Sequence, residues 1–165
     1  MKLPHFEKLF VKLIISLFIV VASISYYEFY LKYHTYYSTT VRIEVSSGSP
    51  DIYQLFYDNG KYGYHHDLSI TSRYDGLDNQ VISFKIPGTR VKKFRIDPGQ
   101  KKGIIEIKQI SIHHGNIVKS WKDFELERDF RKLNDINKFK VDNGQLVIES
   151  KGIDPYFEYN GNLSI

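Results

Sequence analysis

The chain contains no cysteine. Disulfide staples and thiolate metal sites are therefore excluded, and the redox compartment cannot be read from cysteine pairing, so an exported location stays open. Gly-x-Ser-x-Gly, the P-loop, the Rossmann glycine pattern and HExxH are also missing, which removes the recognisable signatures of an acyl-transfer nucleophile, a phosphate cradle and a zinc helix. Carboxylates are scattered, and their spacing places no two of them together for acid/base work. No catalysis is expected. Net charge is small as well: of the formal +4, Lys2, Lys8, Lys12 and Lys32 against Glu7 and Glu28 supply +2, leaving +2 for the rest. That near-neutrality argues against a nucleic-acid partner. There is no internal repeat, low-complexity tract or second-domain linker, and 165 residues rich in aromatic and β-branched side chains suffice for one domain with a real core.

What is present begins with an apolar run. Residues 1–12 carry three lysines, and residues 13–31 (LIISLFIVVASISYYEFYL) are interrupted only by Glu28. About 19 apolar residues are just enough to cross a ~30 Å hydrocarbon layer as a helix. The basic flank predicts a cytoplasmic N-terminus at 1–12, with Tyr26, Tyr27, Tyr30 and Tyr33 as an interfacial belt where the helix leaves the bilayer. The expectation is a single-pass signal-anchor in the inner or plasma membrane, with everything beyond it extracytoplasmic. Ser23 and Ser25 make a poor small-residue cleavage site, so a cleaved signal peptide is the weaker reading. Residues 32–40 read as a polar linker and 41–165 as the exported domain.

That domain reads as strands. Val41, Ile43 and Val45 alternate with Arg42, Glu44 and Ser46, and residues 51–57 (DIYQLFY) are apolar on both faces, as in a strand lying between neighbours. Leu68 and Ile70 begin another strand, followed by turn residues 75–79. In residues 81–112, Ile82, Phe84 and Ile86 alternate with Val81, Ser83 and Lys85, and Phe94 and Ile96 with Lys93, Arg95 and Asp97, with Pro-Gly and Asp-Pro-Gly punctuation between. Ile105 and Ile107 then share one face, but the apolar set moves on to Ile110 and Ile112. This change of parity requires one extra residue, a β-bulge, near Lys108 or Gln109. Ile117 to Trp121 continues as a strand. Leu126, Phe130 and Leu133 fall at i, i+4 and i+7, which predicts a short helix with Asp129 as a cap near its start. A turn at Asp142, Asn143 and Gly144, a strand over 146–149, a turn over 151–155 and a last strand over 156–159 complete the chain. Short strands at such spacing predict an antiparallel β-sandwich.

The pieces YQLFYDNG (53–60), FKIP (84–87), FRIDPG (94–99), GIIEIKQISI (103–112) and GIDPY (152–156) resemble, in that order, the extracytoplasmic β-sandwich module of bacterial membrane glycosyltransferases and other surface-polysaccharide proteins. The resemblance implies a jelly-roll, galactose-binding-like fold and a role in surface-polysaccharide assembly, with a glycan or polysaccharide as ligand and a membrane glycosyltransferase as partner. The glycosyltransferase domain and further membrane spans of the commoner arrangement are missing, so only the accessory module is implied. Arg95 and Asp97 match its pattern best. Turn chemistry alone accounts for Arg95, Asp97, Pro98 and Gly99, and for Asp154 and Pro155: proline presets φ and glycine permits a positive one, while Arg95 has a carboxylate to pair with on the sheet face.

A sugar site needs flat apolar faces against the ring C–H groups and polar groups converging on the hydroxyls. The loop over 58–66 offers both in Asp58, Asn59, Tyr62, Tyr64 and His65, although Asn59-Gly60 is also an ordinary hairpin turn. Trp121 is a second aromatic candidate, competing with a role as a core anchor. The pairs His65-His66 and His113-His114 cannot chelate from regular strands, since neighbours point to opposite faces. Asp75, Asp78 and Asn79 offer oxygens to calcium at a spacing unlike an EF-hand, and solvated turn residues are the better reading, so no cofactor is expected. Lys92, Lys93, Lys101 and Lys102 form the densest basic cluster: a solvated edge, or a contact for lipid head groups or an acidic polysaccharide. The competing function is that of a protein-interaction or structural subunit of an envelope complex with no sugar binding.

Overall fold

Alternation of apolar and polar residues decides the architecture, because a strand that puts every second side chain inward must bury that face against another layer. The computed structural model describes residues 5–36, 38–87, 90–152 and 154–163. It divides into two units, residues 1–36 and 37–165. The first is a single helix, α1 (His5–Tyr36), whose segment Leu9–Tyr30 is long and apolar enough to cross a membrane. Its side chains there are exposed and not packed into a protein core. Ser23 satisfies its hydroxyl inside the helix by donating to the Ile19 carbonyl at 2.8 Å. The helix runs through the first part of the segment expected as a linker.

The second unit comprises the strands β1 (Thr39–Ser47), β2 (Asp51–Asp58), β3 (Ser69–Tyr74), β4 (Gln80–Ile86), β5 (Lys93–Asp97), β6 (Gly103–His114), β7 (Ile117–Lys122), β8 (Phe130–Asn134), β9 (Ile136–Asp142), β10 (Gln145–Ser150) and β11 (Tyr156–Tyr159), with a short helix, α2 (Phe124–Asp129), before β8. One sheet has the order β4-β1-β6-β10-β9, with β7 also paired to β6; the other has the order β3-β2-β5-β11-β8. Pairing is antiparallel throughout these ladders. The expected β-sandwich is the observed fold, and β2 lies between β3 and β5, burying Tyr53, Leu55 and Tyr57 on one face and leaving the other partly open.

Inward residues of both sheets form one core: Val41, Ile43, Ile82, Phe84, Ile107 and Ile110 from the first, Tyr53, Leu55, Phe94, Ile96 and Phe157 from the second. Aromatic rings close one side, where Trp121 lies 4.9 Å from Tyr159, 5.4 Å from Phe130 and 6.0 Å from Phe94 between ring centroids. Each such burial contributes ~1.5–3 kcal/mol, and edge-to-face rings add ~0.5–1.5 kcal/mol.

The bulge sits where parity demands. Ile43 faces Ile110 and Glu44 faces Gln109, but the next pair is Val45 with Ile107, so Lys108 has no partner across the ladder. The same residue divides β6 on its other edge, which pairs with β10 up to Ile107 and with β7 from Gln109 onward.

Two expectations fail between 123 and 142. The helix over 126–133 stops at Asp129, and Phe130 and Leu133 belong to β8, where a spacing of three puts them on opposite faces: Phe130 is buried and Leu133 exposed. Asp129 therefore ends the helix and does not cap its start, where Asp123 stands with φ 49°. Pairing of Phe130 with Tyr159 satisfies the backbone of β8 in a ladder, which overrides a three-residue helical periodicity. β9 was not expected, since its half-buried Phe139 and Val141 lie among polar residues.

Candidate functional site

The antiparallel order of the second sheet brings three chain segments to one end of it. β2 starts where β5 stops, and β5 stops where β11 starts, as the pairings Gln54 with Asp97 and Ile96 with Phe157 show. The two Asp-Pro turns, at 97–98 and 154–155, thus lie side by side next to the first residues of β2. Asp51 ties the corner together: its Oδ1 accepts from the Ile52 amide at 2.8 Å, and its Oδ2 from the amides of Gln100 (2.8 Å) and Lys101 (2.9 Å). Gly99 adopts φ +90°, and a Cβ there would lie 2.4 Å from the Asp51 Cγ, so turn geometry and close approach both require glycine. Pro98 and Pro155 are buried beneath the turns, and the Asp154 carbonyl accepts from Asn134 Nδ2 at 2.9 Å.

On the outer face, Arg95 grips Asp97 with a two-pronged fork, Nε to Oδ1 at 2.9 Å and Nη2 to Oδ2 at 2.8 Å. Its guanidinium lies 4.2 Å from the ring centres of both Phe56 and Tyr156 and 5.9 Å from that of Tyr64. This stack takes the ion pair largely out of water. Burial accordingly pushes the Asp97 carboxyl up to about 6, the Arg95 fork opposing the rise and the negative Asp154 adding to it. Farther along the same face, the buried carboxylate of Glu158 accepts from Arg131 Nε at 2.7 Å. The Tyr64 hydroxyl is buried near it, and burial together with the charge of Glu158 drives that phenol's pKa upward.

Beside Asp97 a pocket of about 210 Å³ opens, lined by Asp51, Gln54, Asp97, Gln100 and Asp154 with Ile52 at its rim. A second hollow of about 200 Å³ shares Asp51 and Ile52 and is lined on its far side by Pro50, Arg73 and Lys101. Ile52 stands between them, 61% exposed.

The loop expected to bind sugar is arranged differently. Asp58 Oδ1 accepts from the Gly60 amide (2.6 Å) and Asn59 Oδ1 from the Lys61 amide (3.0 Å), so both side chains hold the loop's own turns. Tyr62 is exposed and Tyr64 is turned onto Arg95, so the two rings present no shared face. His65 is exposed, its Nδ1 directed to the Asp67 amide at 3.4 Å. Trp121 is 1% exposed and belongs to the core, as its competing reading held. Arg95, Asp97, Pro98, Gly99, Asp154 and Pro155 do come together, as two neighbouring turns. Of the groove residues outside the two Asp-Pro turns, only Lys101 is singled out by the sequence, as part of the basic cluster; Asp51, Gln54, Gln100 and Arg73 carry no such mark, and the signal available is the repeated Asp-Pro at strand ends.

Among the described residues no three His, Cys, Asp or Glu side chains are placed to hold a metal ion. Asp75, one of the calcium candidates, accepts from Arg73 Nε at 2.7 Å, and His114 Nδ1 lies 2.8 Å from Thr39 Oγ1. Fold and geometry together define a class: an apolar helix of membrane-spanning length joined to a two-sheet antiparallel unit with a polar groove at one sheet end. No family model matches the chain, and no curated protein is significantly similar to it.

Proposed function

We propose that this is a membrane-anchored, noncatalytic module that binds carbohydrate at the cell envelope, with α1 as the anchor and the groove around Ile52 as the binding site. The observation that carries the reading is the pocket beside Asp97. It combines carboxylate acceptors, the mixed donor and acceptor amides of Gln54 and Gln100 and an exposed apolar side chain, the set that meets hydroxyls and C–H groups on one small ring. The resemblance of the Arg-Ile-Asp-Pro and Gly-Ile-Asp-Pro segments to surface-polysaccharide modules supports the same reading, since both segments end at this pocket. In that role the chain docks a glycan or holds a membrane glycosyltransferase beside its substrate, on the extracytoplasmic side. A glycan array probed with the full chain in detergent micelles tests it. Specific binding that is lost in Gln54→Ala and Gln100→Ala is the expected result; a folded protein that binds no glycan rejects it.

One observation favours the alternative, an interaction subunit of an envelope complex. β7 pairs with β6 alone among the described strands and carries Ile117 and Val118 exposed, 54% and 60%, on an unpaired edge. Crosslinking from position 118 in intact membranes distinguishes it: a specific protein adduct supports this reading.

A further inference from the structure

The two hollows that share Ile52 differ in charge. The larger is lined by Asp97 and Asp154, with no basic side chain on its wall; the other is lined by Arg73 and Lys101. Each alone is smaller than an ordinary ligand site, but together they reach the lower part of the ~300–1,000 Å³ range. A ligand of one unit leaves half of the groove empty, so the groove fits a pair of linked units lying across Ile52.

We propose that the groove recognises a charge-separated glycan segment: a sugar bearing a free amine in the Asp97–Asp154 hollow, linked to a sugar bearing a carboxylate or phosphate in the Arg73–Lys101 hollow. This rests on the carbohydrate reading above and narrows it to a ligand class. The ammonium group meets the exposed Asp154, beside Asp97, whose two carboxylate oxygens are held by the Arg95 fork. The anionic group meets Arg73, whose guanidinium is exposed and held by Asp75, and Lys101, whose ammonium group donates to the Pro50 carbonyl and so stays at the groove wall. Ile52 between them supplies an apolar contact for the linkage. Asp51 lines both hollows, so its charge, held by three backbone amides, does not distinguish them; the difference lies in Asp154 on one side and Arg73 and Lys101 on the other. Opposite charges in adjoining hollows also orient the ligand, because the reversed disaccharide would set like charges together.

The test is calorimetric titration of the full chain in detergent micelles with four disaccharides: glucuronic acid linked to glucosamine with its amine free, the same compound N-acetylated, glucose linked to glucosamine with its amine free, and that compound N-acetylated. The first should bind most tightly, losing about fivefold for each charge removed, as befits partly exposed ion pairs. Asp154→Asn should abolish the preference for the free amine while sparing that for the carboxylate, and Arg73→Gln should do the converse. Equal affinity for all four compounds, or variants with unaltered preferences, overturns the proposal. If none of the four binds while other glycans do on the array, the charge assignment falls and the carbohydrate reading stands; if no glycan binds at all, both fall.

Discussion

At the scale of single residues, the corner at 97–101 shows how a turn can be fixed by something distant in the chain. Pro98 and Gly99 are legible as a turn from sequence, and the positive φ at Gly99 follows from it. The second constraint on Gly99, the Asp51 carboxylate against its Cα, lies 48 positions away and has no local signature. Gly99→Ala should therefore destabilise the protein by about 2 kcal/mol or more, combining αL strain with the displacement of Asp51 from its amide partners. Thermal unfolding followed by circular dichroism checks this, and an unshifted midpoint would show that the corner yields freely. Asp97 supplies a pH test. Its folded value of about 6 exceeds the ordinary 3.8, so between roughly pH 4 and 6 the folded protein holds a proton that the unfolded chain has released. The contribution to stability is fully present below pH 4, falls as pH rises through 6 and is constant above it. The size is on the order of 3 kcal/mol. Urea unfolding at a series of pH values should show this decline in the native protein and not in Asp97→Asn; identical slopes would mean that water reaches the ion pair freely.

At the scale of elements, what could be read from the sequence depended on whether the signal was contained in one strand. The bulge at Lys108 was legible because Ile105, Ile107, Ile110 and Ile112 cannot all face inward without one extra residue, and parity is a property of the strand alone. The short helix is present but ends before Phe130: Leu126, Phe130 and Leu133 fit a helical repeat, and only the ladder between β8 and β11 decides against its second half. The groove is out of reach for a related reason: Asp51, Arg73, the pair Asp97 and Lys101, and Asp154 come from four chain segments that meet through strand order. The bulge gives a sharp prediction. Deleting Lys108 turns one half of β6 over, sending either Ile105 and Ile107 or Ile110 and Ile112 into solvent, and should abolish cooperative unfolding. Lys108→Ala keeps the count and removes only the 2.9 Å pair with Glu44, costing about 0–1 kcal/mol. A deletion variant with the native unfolding profile would mean that the register slips without penalty.

At the scale of the whole molecule, the two units place contrary demands on solvent. The β unit buries its apolar side chains in its own core, whereas the exposed apolar surface of α1 has no such cover within its unit. The 22 residues of Leu9–Tyr30 span about 33 Å as a helix, enough for a ~30 Å hydrocarbon layer. Backbone bonds are satisfied inside the helix, as is the Ser23 hydroxyl, and Glu28 lies near one end of the span where it can reach the interface. An anchor with these properties should keep the protein in the membrane pellet after alkaline extraction. The double variant Ile19→Arg, Val20→Arg puts two charges at the helix centre, each costing ~2.5–3.5 kcal/mol on insertion scales, and should move the protein to the soluble or degraded fraction. Intact mass of the membrane-bound form separates an anchor from a cleaved leader: a mass that includes residues 9–30 establishes the anchor, whereas a shorter chain that still resists extraction would show that the β unit holds the membrane by other means.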